Sequence, residues 1–145
     1  MTAGTSTMIE RLAVAIVLLI VGFVAYQVLR RYHIQKTSAT STHDPILSDL
    51  KPGVPAIVYF TTPGCIPCVT QQQPALKRLQ TQLGDEIQVI QIDASENSEV
   101  ADRWGVFSAP TTFVVDSLRQ VRDVNYGVAD TPKLIRQLDS LRASQ

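Results

Sequence analysis

The stretch LAVAIVLLIVGFVAYQVL, residues 12–29, contains one polar side chain, Gln27, and no charge. No other part of the chain has so few ways to fold. Each backbone N–H and C=O of such a run needs a partner away from water, and within a single segment only a helix supplies them. At about 1.5 Å per residue the run covers roughly 27 Å, close to a bilayer core of about 30 Å. Tyr26, Arg30 and Arg31 mark the end that meets water, while the stem of Arg11 can reach the opposite interface. A buried core helix of this length normally keeps a polar face. A cleaved signal peptide normally has a basic start and a small-x-small site after the run. Here the start carries Arg11 beside Glu10, and the basic pair follows the apolar run directly. The expectation is one retained transmembrane anchor, residues 12–29, behind a short tail, residues 1–11.

Orientation follows from counting basic residues. Arg11 precedes the run, and Arg30, Arg31 and Lys36 follow it. The positive-inside rule then places the remainder of the chain in the cytoplasm, the extracytoplasmic face being the alternative. Residues 30–43, rich in Ser and Thr, read as a polar tether. His33 and His43 lie there far from either cysteine in sequence and read as exposed bystanders rather than metal ligands. Basic and acidic residues balance at 13 each, so no charge excess argues for nucleic acid.

Residues 44–145 form the second part. Asp44 and Pro45 predict the cap and first position of a short helix. AIVYF, residues 56–60, is a continuous apolar run of strand length, as a buried central strand requires. Val69, Leu76, Leu79 and Leu83 then recur at helical spacing, with Pro74 predicting a kink and Gly84 an end. IQVIQID predicts a second strand, Val100, Ala101 and Trp104 a short helix, and APTTFVVD a third strand. QVRDVNYG predicts a fourth, after a tight turn at residues 116–119. Thr131 and Pro132 open a last helix that turns Leu134, Ile135, Leu138 and Leu141 inward. Strands separated by helices imply parallel pairing through right-handed crossovers, and the final hairpin adds an antiparallel edge. The expected class is α/β, a mixed central sheet with helices on both faces.

The only cysteines, Cys65 and Cys68, fall where the central strand gives way to a helix. That is where open α/β sheets place their sites. A sulfur in the first helical turn meets unsatisfied N–H groups and the positive end of the helix dipole, which favour thiolate over thiol. Cys65 comes first and is the candidate nucleophile. Cys68, one turn on and on the same face, can resolve a mixed disulfide. Pro67 needs no N–H there and fixes the backbone between the two sulfurs. A metal module is the competing chemistry, although two sulfurs fill only half of a tetrahedral site.

With VYFTTPGCIPC, QIDASEN and WGVFSAPTTFVV on one chain, the sequence resembles the thioredoxin family over nearly the whole second part. The resemblance implies a thioredoxin-like fold and thiol–disulfide exchange with protein dithiols or disulfides. It implies a separate thiol redox partner and no cofactor beyond the Cys65–Cys68 disulfide. It also implies a cis bond between Ala109 and Pro110, with Pro110 against Cys65. Ala109, Pro110, Gly64, Ile66 and Pro67 would then line the surface a substrate segment meets, with Gly127 near it. The sequence departs from the family at four places. Gly64 replaces a tryptophan, Ile66 a glycine, Tyr59 a buried acid, and Val89 the lysine that faces that acid. The interval from Cys68 to Pro74 is also one residue longer than the family's, and the family's first strand has no counterpart in the tether. These departures keep a non-catalytic adaptor as the alternative function. Trp104 and Phe107 read as core beneath the Pro110 loop, Asp93 as a turn residue, and Tyr126 as surface.

Overall fold

A computed structural model of the chain describes residues 11–29 and 44–143. Residues 1–10 of the tail, the tether, and with them His33, His43, Arg30, Arg31 and Lys36, lie outside the described residues. The two described parts are separate compact units. The first is helix α1, Arg11–Leu29, whose residues are all exposed; it is long and apolar enough to cross a membrane.

The second unit is built on a four-stranded sheet: β1 (Ala56–Thr61), β2 (Gln88–Asp93), β3 (Thr111–Val115) and β4 (Val121–Tyr126), in spatial order β2-β1-β3-β4. All six residues of β1 are buried, because strands flank it on both edges and helices cover both faces. Its side chains divide by alternation. Ala56, Val58 and Phe60 join Phe113, Val115 and Val121 on one face, under Leu47, Leu50, Ala101 and Trp104. Ile57 and Tyr59 join Val114 on the other, under Cys68, Leu76, Leu79, Leu134, Leu138 and Leu141. The covering elements are a 3-10 turn (Pro45–Leu47) and helix α3 (Ser98–Arg103) on the first face, and helices α2 (Gln73–Leu83) and α4 (Thr131–Ala143) on the second.

β1 and β2 pair in parallel, as expected, but β3 runs antiparallel to β1. Helix α3 has only six residues and covers about 9 Å, whereas a six-residue strand covers roughly 20 Å. The connection therefore never returns to the far end of the sheet. Asp93 finishes β2 beside Thr61, and Thr111 starts β3 beside Phe60, at the same end.

The cysteine helix also differs from the expected single run. Cys68–Gln72 form a π-helical turn in which the Gln73 N–H donates to the Cys68 C=O, five residues back. That turn absorbs the extra residue between Cys68 and Pro74. Pro74 consequently sits at the second residue of α2, directly after the π turn. The turn shifts the helical phase as well, leaving Val69 61% exposed while Leu76 and Leu79 are buried.

Two caps are informative. Asp44 accepts from the Ile46 N–H at 3.2 Å, as the short-helix cap requires. Its other oxygen accepts from Arg103 Nε at 3.2 Å and Trp104 Nε1 at 3.1 Å, tying the start of the domain to the end of α3. Burial pushes the Asp44 carboxyl pKa up, but the bonds from Arg103, Ile46 and Trp104 and the Arg103 charge outweigh it and bring it below the usual value. At α4 the cap is Asp130, not Thr131. Asp130 Oδ1 accepts from the Lys133 N–H at 2.9 Å, and Thr131 Oγ1 instead donates to the Ala75 C=O at 2.9 Å.

Candidate functional site

The site begins where β1 ends. Thr62, Pro63, Gly64 and Cys65 make a tight turn closed by the Cys65 N–H donating to the Thr62 C=O at 3.3 Å. Proline at the second position and a glycine with φ of +74° at the third are the signature of a type II turn. The backbone thus accounts for Gly64, since side chains are strained at that φ. The turn delivers Cys65 to the N-cap of the following helix. The Val69 N–H donates to the Cys65 C=O at 3.3 Å, and the Cys68 N–H donates to Cys65 Sγ at 3.3 Å. The sulfur occupies the place where a capping oxygen usually sits.

Cys65 and Cys68 are joined, with S–S at 2.04 Å and Cα atoms 5.3 Å apart. In this state both sulfurs are committed to each other rather than to a metal. Their exposures differ as expected: Cys68 is fully buried and Cys65 is half-buried. Only Cys65 is open to an incoming group. Ile66 is 74% exposed beside it.

The Ala109–Pro110 bond is cis, and Ala109 packs against the same core cluster as Cys65 and Cys68. The Pro110 C=O accepts from the Gly127 N–H at 2.8 Å, which brings residues 127–129 alongside that loop. Trp104 is buried as expected, with ring centroids 5.9 Å from Phe60 and 5.0 Å from Phe113. Phe107 is not core: it is 89% exposed, because Val106 takes the inward position after the Gly105 bend and the next residue points out. Asp93 spends its carboxylate within its own turn. Hydrogen bonds from the Ser95 hydroxyl and N–H hold its pKa below the usual value. Tyr126 is exposed.

Tyr59 and Val89 both lie on the cysteine face of the sheet, Tyr59 fully buried and Val89 partly. Among the described residues the Tyr59 hydroxyl makes no hydrogen bond, although the Thr61 and Gln73 side chains lie near enough to act on it. Burial pushes its pKa up, opposed only in part by the nearby Thr61 and Gln73 side chains. It therefore stays neutral at physiological pH. Gln72 is the residue that sequence patterning missed. In a run of three glutamines it looks like solvent-facing polarity, yet it is fully buried. The signal was the extra residue before Pro74.

A cysteine pair one helical turn apart, one sulfur reachable and one buried, at the end of the central strand of such a sheet, is built for dithiol–disulfide exchange. The thioredoxin family profile matches residues 35–140, and the chain belongs to the thioredoxin family. Thioredoxin of Bacillus subtilis is 33% identical over 81 residues, spanning 56% of this chain and 67% of that protein. Thioredoxin of Rhodospirillum rubrum is 33% identical over 91 residues, spanning 63% and 86%. Among solved structures, thioredoxin-2, a component of malaria parasite protein secretion machinery, superposes with a TM-score of 0.56 at 21% identity, covering 60% of this chain and 82% of its own. That likeness concerns the fold. Membership together with the Cys65–Cys68 disulfide makes the protein a thiol–disulfide oxidoreductase.

Proposed function

We propose that the chain is a membrane-tethered oxidoreductase exchanging disulfides with protein substrates, with Cys65 as nucleophile and Cys68 as resolving residue. The observation that carries this is the unequal exposure of the two sulfurs, with the exposed one held by a helix N–H. In the reduced protein the Cys65 thiolate, favoured by that N–H and the helix dipole, attacks one sulfur of a substrate disulfide. One substrate thiolate leaves and a mixed disulfide forms. The Cys68 thiolate then attacks Cys65 Sγ, expelling the second substrate thiolate and closing the Cys65–Cys68 disulfide. Two electrons pass to the substrate, and run in reverse the pair oxidises a dithiol. Tyr59 stays neutral, so the Cys68 proton goes to water or to the departing substrate thiolate.

The substrate segment lies across Gly64, Ile66, Pro67, Ala109 and Pro110, a reading supported by the exposure of Gly64 and Ile66 beside Cys65 and by the cis Ala109–Pro110 bond. The apolar helix supports the tether reading, with residues 12–29 as anchor, 30–43 as spacer and 44–145 as working domain. The excess of Arg30, Arg31 and Lys36 over Arg11 favours a cytoplasmic domain. A thiol partner recharges the pair.

Trapping tests the assignment. The Cys68→Ser chain should accumulate mixed disulfides through Cys65 that dithiothreitol releases, and the Cys65→Ser chain should accumulate none. Equal trapping by both variants would remove the distinction between the two sulfurs. Release of the chain from membranes by alkaline carbonate would count against the tether.

A further inference from the structure

The extra residue in the cysteine helix does more than lengthen it. The π turn carries Gln72 into the core, where its side chain is fully buried. There it meets Ala129 in a reciprocal pair: Gln72 Nε2 donates to the Ala129 C=O at 3.1 Å, and the Ala129 N–H donates to Gln72 Oε1 at 2.8 Å. Ala129 is itself fully buried, so water offers neither of its backbone groups another partner. One turn later Thr131 Oγ1 donates to the Ala75 C=O, a second tie between the same two segments. The held segment continues outward through Val128, 38% exposed, to Gly127, whose N–H reaches the Pro110 C=O at 2.8 Å. Hydrogen bonds and the intervening chain thus link the helix after Cys68 to the Ala109–Pro110 loop, whose Ala109 packs on the same core cluster as Cys65.

We infer that Gln72 is a positioning residue for protein substrates: it clamps residues 127–129 to the cysteine helix and so sets the groove between that helix and the Pro110 loop. This rests on the reading that substrate polypeptide lies beside Pro110. Without the clamp, the buried N–H and C=O of Ala129 must rotate to find partners, carrying Val128 and the Gly127–Pro110 bond with them. Cys65 Sγ is held separately from that segment's backbone, by its bond to Cys68 Sγ and by the Cys68 N–H within the helix turn. A substrate spanning the groove loses its fit, whereas a small disulfide needing only the sulfur does not.

The test uses the full chain in detergent micelles with dithiothreitol as electron donor. Reduction of insulin is compared with reduction of 5,5′-dithiobis(2-nitrobenzoate). Gln72→Met keeps length and volume but cannot bond Ala129. The expected result is a rise of about tenfold in KM for insulin, equivalent to about 1.4 kcal/mol. The insulin kcat and the small-disulfide rate should stay within about twofold, below what one altered hydrogen bond typically produces. An unchanged insulin KM, or an equal fall with both disulfides, would overturn the inference. Should the variant not fold, amide exchange of the wild-type chain decides instead: the Ala129 N–H must exchange as slowly as the amides of α2, and fast exchange would overturn the clamp. A wild type inert to both disulfides refutes the exchange reading and this inference with it, a failure recognisable because the wild type shows it.

Discussion

Replacing Tyr59 by Phe should make the oxidised protein more stable, which is unusual for a change in the centre of a core. The Tyr59 side chain is fully buried and its hydroxyl has no hydrogen-bond partner among the described residues. A buried polar group left unpaired costs about 1–3 kcal/mol, and phenylalanine removes that group while keeping the ring. The vacated space is a single oxygen atom, so little packing is lost in return. A net gain of about 1 kcal/mol follows, which in a domain of about a hundred residues raises Tm by roughly 4–8 °C. Trp104, the only tryptophan, lies in the domain core and reports its unfolding by fluorescence in the full chain. The pH dependence gives a second sign. Burial holds the Tyr59 pKa above its ordinary 10.0, so the unfolded chain gives up this proton first as pH rises. Its contribution is complete below about pH 10 and is lost as pH climbs from there towards the folded value. The Phe variant lacks that alkaline loss, and its advantage should widen above pH 10. A lower Tm for Tyr59→Phe, by a similar margin, would mean that the hydroxyl has a partner in solution and would refute the reasoning.

Asp44→Asn should cost about 1–2 kcal/mol: it removes a carboxylate 2% exposed, but the partner Arg103 is 42% exposed and partly screened. With the folded Asp44 pKa below its ordinary 3.8, its stabilisation is present above pH 3.8 and lost as pH falls through the lower folded value. Acid titration of the Trp104 signal should show that loss in the wild type and not in Asp44→Asn. Gly64→Ala should cost about 1–2 kcal/mol from its φ of +74° alone, because an added Cβ meets nothing within 4 Å. Denaturant titration measures the cost, and a larger loss would place an unseen contact at the turn.

How far the sequence could be read follows from where the determining contacts lie. AIVYF announces a central strand because each of its residues is buried for reasons written in its own apolarity. Cys65 and Cys68, the turn at Pro63 and Gly64, and the hairpin at Asp116 are likewise settled by neighbours in sequence. The direction of β3 is not. It depends on α3 being too short to return along the sheet, and the residues of β3 carry no trace of that. Phe107 misleads because exposure of an aromatic residue is decided by which way a loop bends, here at Gly105. Gln72 is the opposite error, a polar residue buried because a π turn rotates it inward onto Ala129. Thr131 gave up the capping role to Asp130 because its hydroxyl has a partner in Ala75, far away in sequence.

The exchange mechanism is tested most directly by a redox titration of the full chain in micelles, with alkylation and mass spectrometry reading the state of Cys65 and Cys68. It predicts one two-electron transition between dithiol and the Cys65–Cys68 disulfide, with a tenfold change in ratio for about every 30 mV. A midpoint near about −270 mV would make the protein a reductase, and one between roughly −180 and −120 mV an oxidant or isomerase. Absence of an intramolecular disulfide at any poise would contradict the account.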